Sequence, residues 1–179
     1  MKILAIDFET AHSLDDIKGK NAKVQSSGCA LGLAMYDSDT GQITTEYYQF
    51  RPEPFYMDPG AFGIHGISLN DLENSPTFDV IYLDYIKKRL LEANLVIAHN
   101  ADFDITVLNN ALQFYGYKVP KLNIDCTCKM SRKLFPDAKN NLDAVARRYN
   151  IPLDHHNGRS DALACLKIYL KMSVDTNIA

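Results

Sequence analysis

AHNADFD, residues 98–104, follows the apolar run Leu95, Val96, Ile97 and carries two aspartates, Asp102 and Asp104, either side of Phe103. The run reads as a buried strand over 94–98. From about 104 to 115, Ile105, Leu108 and Leu112 recur on one helical face. A strand feeding an amphipathic helix is the building unit of an α/β fold, and sheets of that kind place their sites beyond strand ends. Which aspartate matters stays open on the segment alone, because an acid is also favourable in the first turn of any helix.

On the amino-terminal side, residues 2–6 (KILAI) read as a short buried strand. Residues 28–36 (GCALGLAMY) and 43–50 (ITTEYYQF) read as two more, joined through the turn residues DSDTG. The polar segment 11–27, with KGKNAK inside it, reads as a long surface loop. Residues 51–75 contain Pro52, Pro54, Pro59 and several glycines, and are expected to be largely irregular. From Pro76 a helical period places Val80, Leu83, Ile86, Leu90 and Leu91 on one face. Beyond 115 come a short strand near 122–125 and helices around 126–134 and 141–149. A last helix over 159–172 turns Ala162, Leu166 and Tyr169 inward. The pattern predicts one α/β domain with a mixed sheet over 1–172 and a short C-terminal tail, 173–179.

Bulk composition agrees with this. A 179-residue chain that is 46% hydrophobic and 23% charged is long enough to bury a full core. A formal charge of −3 gives no global basic footprint of the kind that coats nucleic acid. Cys29, Cys126, Cys128 and Cys165 lack C-x-x-C spacing and read as reduced thiols. MKILAIDFET has four apolar residues between its lysine and its aspartate, too few for a signal peptide, and no run approaches a membrane span. The expectation is a cytoplasmic protein with no membrane partner.

Two other acidic segments lie near the chain's ends. In IDFET, Asp7 and Glu9 stand at i and i+2 on a strand, on the same side with α-carbons about 6–7 Å apart. Two carboxylates so placed suit a hard divalent cation, although a lone D-x-E is far more often a strand running out into a solvated turn. In HHNGRSDA, residues 155–162, two histidines in a loop precede Asp161 in the first turn of the last helix. Four carboxylates and a histidine that converged would suit two-metal phosphodiester hydrolysis, with histidine as the base because its pKa lies near neutrality. Zinc held by the histidines and cysteines fails on spacing.

Taken in order, DFET at 7–10, HNADFD at 99–104 and HNGRSD at 156–161, with GIHGIS at 63–68, resemble the motif set of the DEDDh (DnaQ-like) 3′–5′ exonucleases. Familiar members of that family are the proofreading epsilon subunit of bacterial DNA polymerase III and ribonuclease T. The match runs from residue 1 to about 170. It implies a ribonuclease H-like fold, a five-stranded mixed β-sheet flanked by α-helices. The family's metal-binding aspartate follows the phenylalanine directly, which selects Asp104 over Asp102. Its histidine lies five residues before the last aspartate, which selects His156 over His155.

By the same resemblance Asp7 contacts both of two Mg²⁺ or Mn²⁺ ions, Glu9 and Asp161 hold one, and Asp104 the other. His156 is the general base, and Phe8, Thr10, Ile64 and His65 meet the substrate, Ile64 against the terminal base. Core burial stays open for Ile64, while His99 and Asn100 shape the strand-to-helix turn. The implied partner is the 3′ end of a nucleic acid, single-stranded DNA preferred, together with replication or repair proteins. An exoribonuclease of the same fold and a non-catalytic polymerase or helicase adaptor remain alternatives. The segment 12–27 is longer than in compact members. Its Lys18, Lys20 and Lys23, like Lys129, Arg132 and Lys133 at i, i+3, i+4, are either phosphate contacts or solvated surface.

Overall fold

The strand β1 (Lys2–Thr10) is the axis of the fold in the computed structural model, which describes residues 1–12 and 26–175. It pairs antiparallel with β2 (Gly28–Asp37), which pairs antiparallel with β3 (Gln42–Gln49). On its other edge β1 runs parallel to β4 (Leu95–Ala98), and β4 to β5 (Ile124–Cys126). Among the described residues the sheet is five-stranded and mixed, in the order β3-β2-β1-β4-β5. The alternation of β1 divides the core. Leu4, Ile6 and Phe8 face one layer, and Ile3 and Ala5 face the other. Asp7 and Glu9 continue the second row.

The first layer is built by a helical run over 78–92 and by α5 (Ala101–Phe114). Here the observed face differs from the expected one. Val80, Leu83 and Leu91 are exposed, Leu91 at 69%, whereas Phe78, Ile81, Tyr82, Ile86 and Leu90 are buried. The cause is a π-helical turn, Tyr82–Ile86, between α3 (Phe78–Ile81) and α4 (Lys87–Glu92). Ile86 and Leu90 are buried as expected, but carried back across the wider turn a strict 3.6-residue period lands on Leu83 and Val80 instead of Tyr82 and Phe78. Phe78 is the centre of this layer, with ring contacts to Phe8, Phe50, Tyr82 and Tyr115.

Residues 51–75 are also more ordered than expected. They hold two short helices, α1 (Pro59–His65) and α2 (Leu69–Leu72). Asp58 caps α1 by accepting from the Gly60 N–H, Pro59 takes the first helical position, and Gly66 at φ 70 ends it. Ser68 and Asp71 form a capping box on α2. The prolines and glycines that suggested irregular chain are the punctuation of these helices.

The second layer contains α6 (Thr127–Leu134), α7 (Leu142–Arg148) and α8 (Gly158–Asp175). Ala162, Leu166 and Tyr169 face Ile3, Ala5, Ala34 and Ile97. Residues 173–175 belong to α8, and the remainder of the expected tail, 176–179, lies outside the described residues, as do Lys18, Lys20 and Lys23. All four cysteines are free and buried.

The start of α8 comes down onto β2 at a glycine. A Cβ on Gly32 would lie 1.8 Å from the Gly158 carbonyl oxygen and 2.7 Å from the Arg159 nitrogen. Gly32 is paired in register with Asp7, so this close approach sets α8's first turn, which carries Asp161, beside β1. Gly32→Ala must lift that turn. Overpacking of this kind costs about 1–3 kcal/mol, and the expected outcome is a lower urea midpoint together with weakened Mn²⁺ binding. Wild-type Mn²⁺ affinity in Gly32→Ala would show that the close contact does not position the site.

Candidate active site

The parallel ladder between β1 and β4 covers only Ile3–Ala5, so the second half of β1 has no strand on that edge. The chain leaving β4 turns there through Asn100 at φ 77, a left-handed conformation that asparagine tolerates better than most residues. It enters α5 at once. In the first turn, Asp104 accepts a hydrogen bond from the Phe8 N–H through Oδ1 at 2.9 Å. A side-chain carboxylate thus takes the place of the missing strand, and a buried N–H is satisfied. Asp102 lies elsewhere, exposed and joined to Lys129 Nζ at 2.8 Å. Of the two aspartates, Asp104 joins the acidic cluster and Asp102 does not.

Asp7, Glu9 and Asp161 bring carboxylate oxygens within 4.8 Å of one another. Burial is the main reason their protons are held tightly. It raises Asp7 well above the usual carboxylate range, with repulsion from Asp104, Asp161 and Glu9 adding to it. Burial, then Asp161 and Asp104, push Glu9 up to about 8. Burial brings Asp104 to about 7 against the Phe8 hydrogen bond, which lowers it. Asp161 is raised by burial and moderated by His155 and by the His156 N–H. Its Oδ2 accepts from that N–H at 3.0 Å, whereas its buried Oδ1 has no hydrogen-bond partner. An orphaned buried oxygen is costly, and a cation relieves it. The donor set is all oxygen, as a hard divalent ion requires.

The histidines flank this cluster. His155 Nδ1 lies 3.2 Å from Asp161 Oδ2, and its ring stacks on that of His156 with centroids 4.0 Å apart and planes 17° from parallel. Both rings border the cavity lined by Asp7, Glu9 and Asp161. His155, His156 and Asp161 also bring one ligand atom each within 4.8 Å of one another, beside the all-oxygen set of Asp7, Glu9 and Asp161. His156 sits at φ 68, strained for a side-chain-bearing residue by about 1–3 kcal/mol. Its backbone bond to Asp161 helps hold it there.

The expected substrate contacts divide. Ile64 is 57% exposed and borders the hollows on either side of His65, so it is not core. Thr10 lines the hollow beside Phe8. Phe8 packs its ring against Phe50 and Phe78 and is largely buried, yet it borders both the acidic cavity and the hollow beside Thr10. His65 is tied at both nitrogens, accepting from the Ile67 N–H at 3.1 Å and donating to the Thr10 carbonyl at 3.2 Å. It thereby fastens α1 to the end of β1. His99 is tied in the same way. Burial pushes it down to about 4, so its neutral ring accepts from Thr127 Oγ1 at 2.9 Å and donates to the Asn140 carbonyl at 3.0 Å. Gly32 and Asn140 are positioning residues that motif spacing does not reveal. A glycine inside the apolar run GCALGLAMY is the one available signal for the first.

The cluster ties stability to pH. An acid whose folded pKa is raised stabilises the fold fully below its unfolded value, and that contribution is lost as pH rises to the folded value. His99 acts oppositely, but its effect is complete once pH exceeds its ordinary value near 6.5. Between pH 6.5 and about 8 the carboxylates therefore dominate. Chelated protein is expected to lose thermal stability across that window, and Glu9→Gln to flatten the loss. Mn²⁺ should raise Tm more at pH 8 than at pH 6.5, because it competes with protons. A chelated Tm that holds constant or climbs would contradict this electrostatic picture.

Residues 4–169 match the RNase T family model, described as an exonuclease. The DNA polymerase III epsilon subunits of Buchnera aphidicola (strain APS) and Salmonella typhimurium are 37% and 38% identical over 127 residues, 65% of this chain. That alignment takes in 51% and 50% of the relatives, so the chain spans about half their length. Exonuclease X in complex with 5′-overhanging duplex DNA superposes with a TM-score of 0.67 at 19% identity, over 98% of this chain and 92% of that one. Cell-death related nuclease 4 gives 0.77 at 14%, over 98% and 64%, and a full-length 3′-exonuclease 0.76 at 17%, over 98% and 61%. These superpositions identify the fold as ribonuclease H-like, and use of divalent metal ions is typical of the matching family. With its family model matched from the first strand to the last helix, the chain belongs to the RNase T exonuclease family.

Proposed function

We propose that the chain acts as a single-domain, metal-dependent 3′–5′ exonuclease, hydrolysing the terminal phosphodiester of single-stranded nucleic acid, DNA by preference, and releasing nucleoside monophosphates. The observation that carries this reading is the convergence of Asp7, Glu9 and Asp161 beside two histidines in an open cavity of about 630 Å³, with Asp104 buried behind them on the Phe8 N–H. The 3′ polarity is supported by the family and by the name of one structural neighbour, a 3′-exonuclease. Relatives named as polymerase subunits support a setting in the cytoplasm with replication or repair proteins as partners. Among the described residues no helix is long and apolar enough to cross a membrane.

Two Mg²⁺ or Mn²⁺ ions at such a site activate a water and offset charge on the phosphate. Asp7, central in the cluster, would contact both; Glu9 and Asp161 would hold one, and Asp104 the other. His156 would accept the water's proton, a role that its exposed imidazole at the cavity edge suits. His155, hydrogen-bonded to Asp161 and stacked on His156, limits where both can move. Ile64, exposed in the hollows that border His65, offers an apolar surface to the terminal base.

A 5′-labelled single-stranded DNA and a matched RNA, each with Mg²⁺, Mn²⁺ or chelator, test the reading. The expected outcome is a metal-dependent ladder shortening from the 3′ end, faster on DNA. Asp7→Ala should abolish it with the circular-dichroism spectrum unchanged, and His156→Ala should slow it about 10²–10⁴-fold. Full activity in Asp7→Ala would sink the assignment, a faster RNA ladder would reverse the substrate preference, and a loss confined to His155→Ala would move the base to His155.

A further inference from the structure

Among the described residues lining the acidic cavity there is one lysine or arginine, Arg132. It stands on α6, one helical turn beyond Cys128, which lines the same cavity. The shelf that carries it is fixed at several points. Asn140 donates to the carbonyls of Phe135 and Ala138 at 3.0 and 2.7 Å. Arg148 reaches Ser131 Oγ at 3.3 Å and the Lys139 carbonyl at 3.0 Å, and lies 4.3 Å over the Phe135 ring. The neighbouring cations are differently placed: Lys129 is held by both oxygens of Asp102, and Lys133 is exposed and not among the lining residues.

Arg132 forms no ion pair or hydrogen bond with any described residue, although Asp7, Glu9 and Asp161 line the same cavity. A guanidinium carried on a fixed shelf, and sharing a cavity with acids it does not touch, is available to an anion that enters that cavity. Its planar fork matches two phosphate oxygens. The carboxylates, with their metal ions, take the phosphate that is cleaved, and they repel every other phosphate of the strand. A cation across the cavity offsets that repulsion at one place and so orients the strand.

We propose that Arg132 binds a phosphate of the substrate strand other than the one being cleaved, so that the cavity grips an oligonucleotide at two phosphates. This rests on the exonuclease reading and adds a preference: esters with a single phosphate are held less well than a strand.

The test compares Arg132→Ala, Arg132→Lys and Lys133→Ala on oligothymidylate and on the p-nitrophenyl ester of thymidine 5′-phosphate, which has no second phosphate. Arg132→Ala is expected to lower kcat/KM on the oligonucleotide about tenfold more than on the ester, with the difference carried in KM. Arg132→Lys should recover part of it, and Lys133→Ala should match wild type on both. Binding of fluorescein-labelled oligothymidylate in chelator, followed by anisotropy, should weaken about tenfold in Arg132→Ala. The slope of log K against log salt should shrink by about 0.7, one phosphate contact on a single strand. Equal losses on the two substrates, no loss on either, or the same loss in Lys133→Ala would overturn the proposal. If wild type cleaves neither substrate, the exonuclease reading fails by itself. The anisotropy titration then judges Arg132, with unchanged binding counting against it.

Discussion

The start of α8 rests on β2 with no side chain between them, and the site depends on that contact. Gly158 faces Gly32 backbone to backbone, and its own missing Cβ would stand 3.3 Å from the Gly32 nitrogen and 3.5 Å from the Asp7 carbonyl. A helix normally packs on a sheet through a layer of side chains. Removing that layer at one point brings Asp161, three residues into α8, to the level of Asp7 and Glu9. Farther along, Ala162, Cys165, Leu166 and Tyr169 restore the usual separation and supply the apolar contact that holds the helix down. The helix is therefore pinned by its core-facing stripe and tilted inward by two glycines.

Four carboxylates held so close oppose the fold that holds them. Burial and mutual repulsion raise Asp7, Glu9, Asp104 and Asp161 alike. Such a cluster persists only where the surrounding structure over-determines it. That surround is visible: the aromatic layer around Phe78 behind Phe8, the Phe8 N–H on Asp104, and the His156 N–H on Asp161. The same repulsion makes the site receptive to cations, since each ion bound removes energy already stored in the apo fold. Stability and function pull in opposite directions here, and a divalent ion bound among the carboxylates would reconcile them.

Periodicity made the central elements legible. β1, β2, α5 and the inward stripe of α8 follow simple repeats because each is long or fully buried, and the core then enforces the pattern. The run over 78–92 misled for a physical reason, since its π turn changes the repeat within the helix and no residue type announces it. The helices α1 and α2 were hidden because proline and glycine mark helix ends as often as loops. At the site, motif spacing brought out the four carboxylates and both histidines, but the choice of Asp104 came from family resemblance alone. The structural reason is a backbone N–H on another strand, 96 residues away, which no local pattern encodes. The left-handed backbone of His156 and the anchoring role of Asn140 are likewise products of tertiary contact.

Unequal strand lengths explain why the chemistry gathers where it does. β2 accompanies β1 as far as Thr10, with an irregularity only between Glu9 and Thr10, while β4 leaves after Ala5. One edge of β1 is thus held and the other open over the residues that bear the acids. β4 and β5 end in step, at Ala98 and Cys126, so α5 and α6 begin side by side at the lip of the opening. From that lip Asp104 closes the gap against β1, and α6 carries Arg132 over the cavity. Extending β4 by a few residues would satisfy the Phe8 N–H with a strand partner and leave Asp104 without its place. The place of the acids and of the cavity beside them follows from a single strand that stops early.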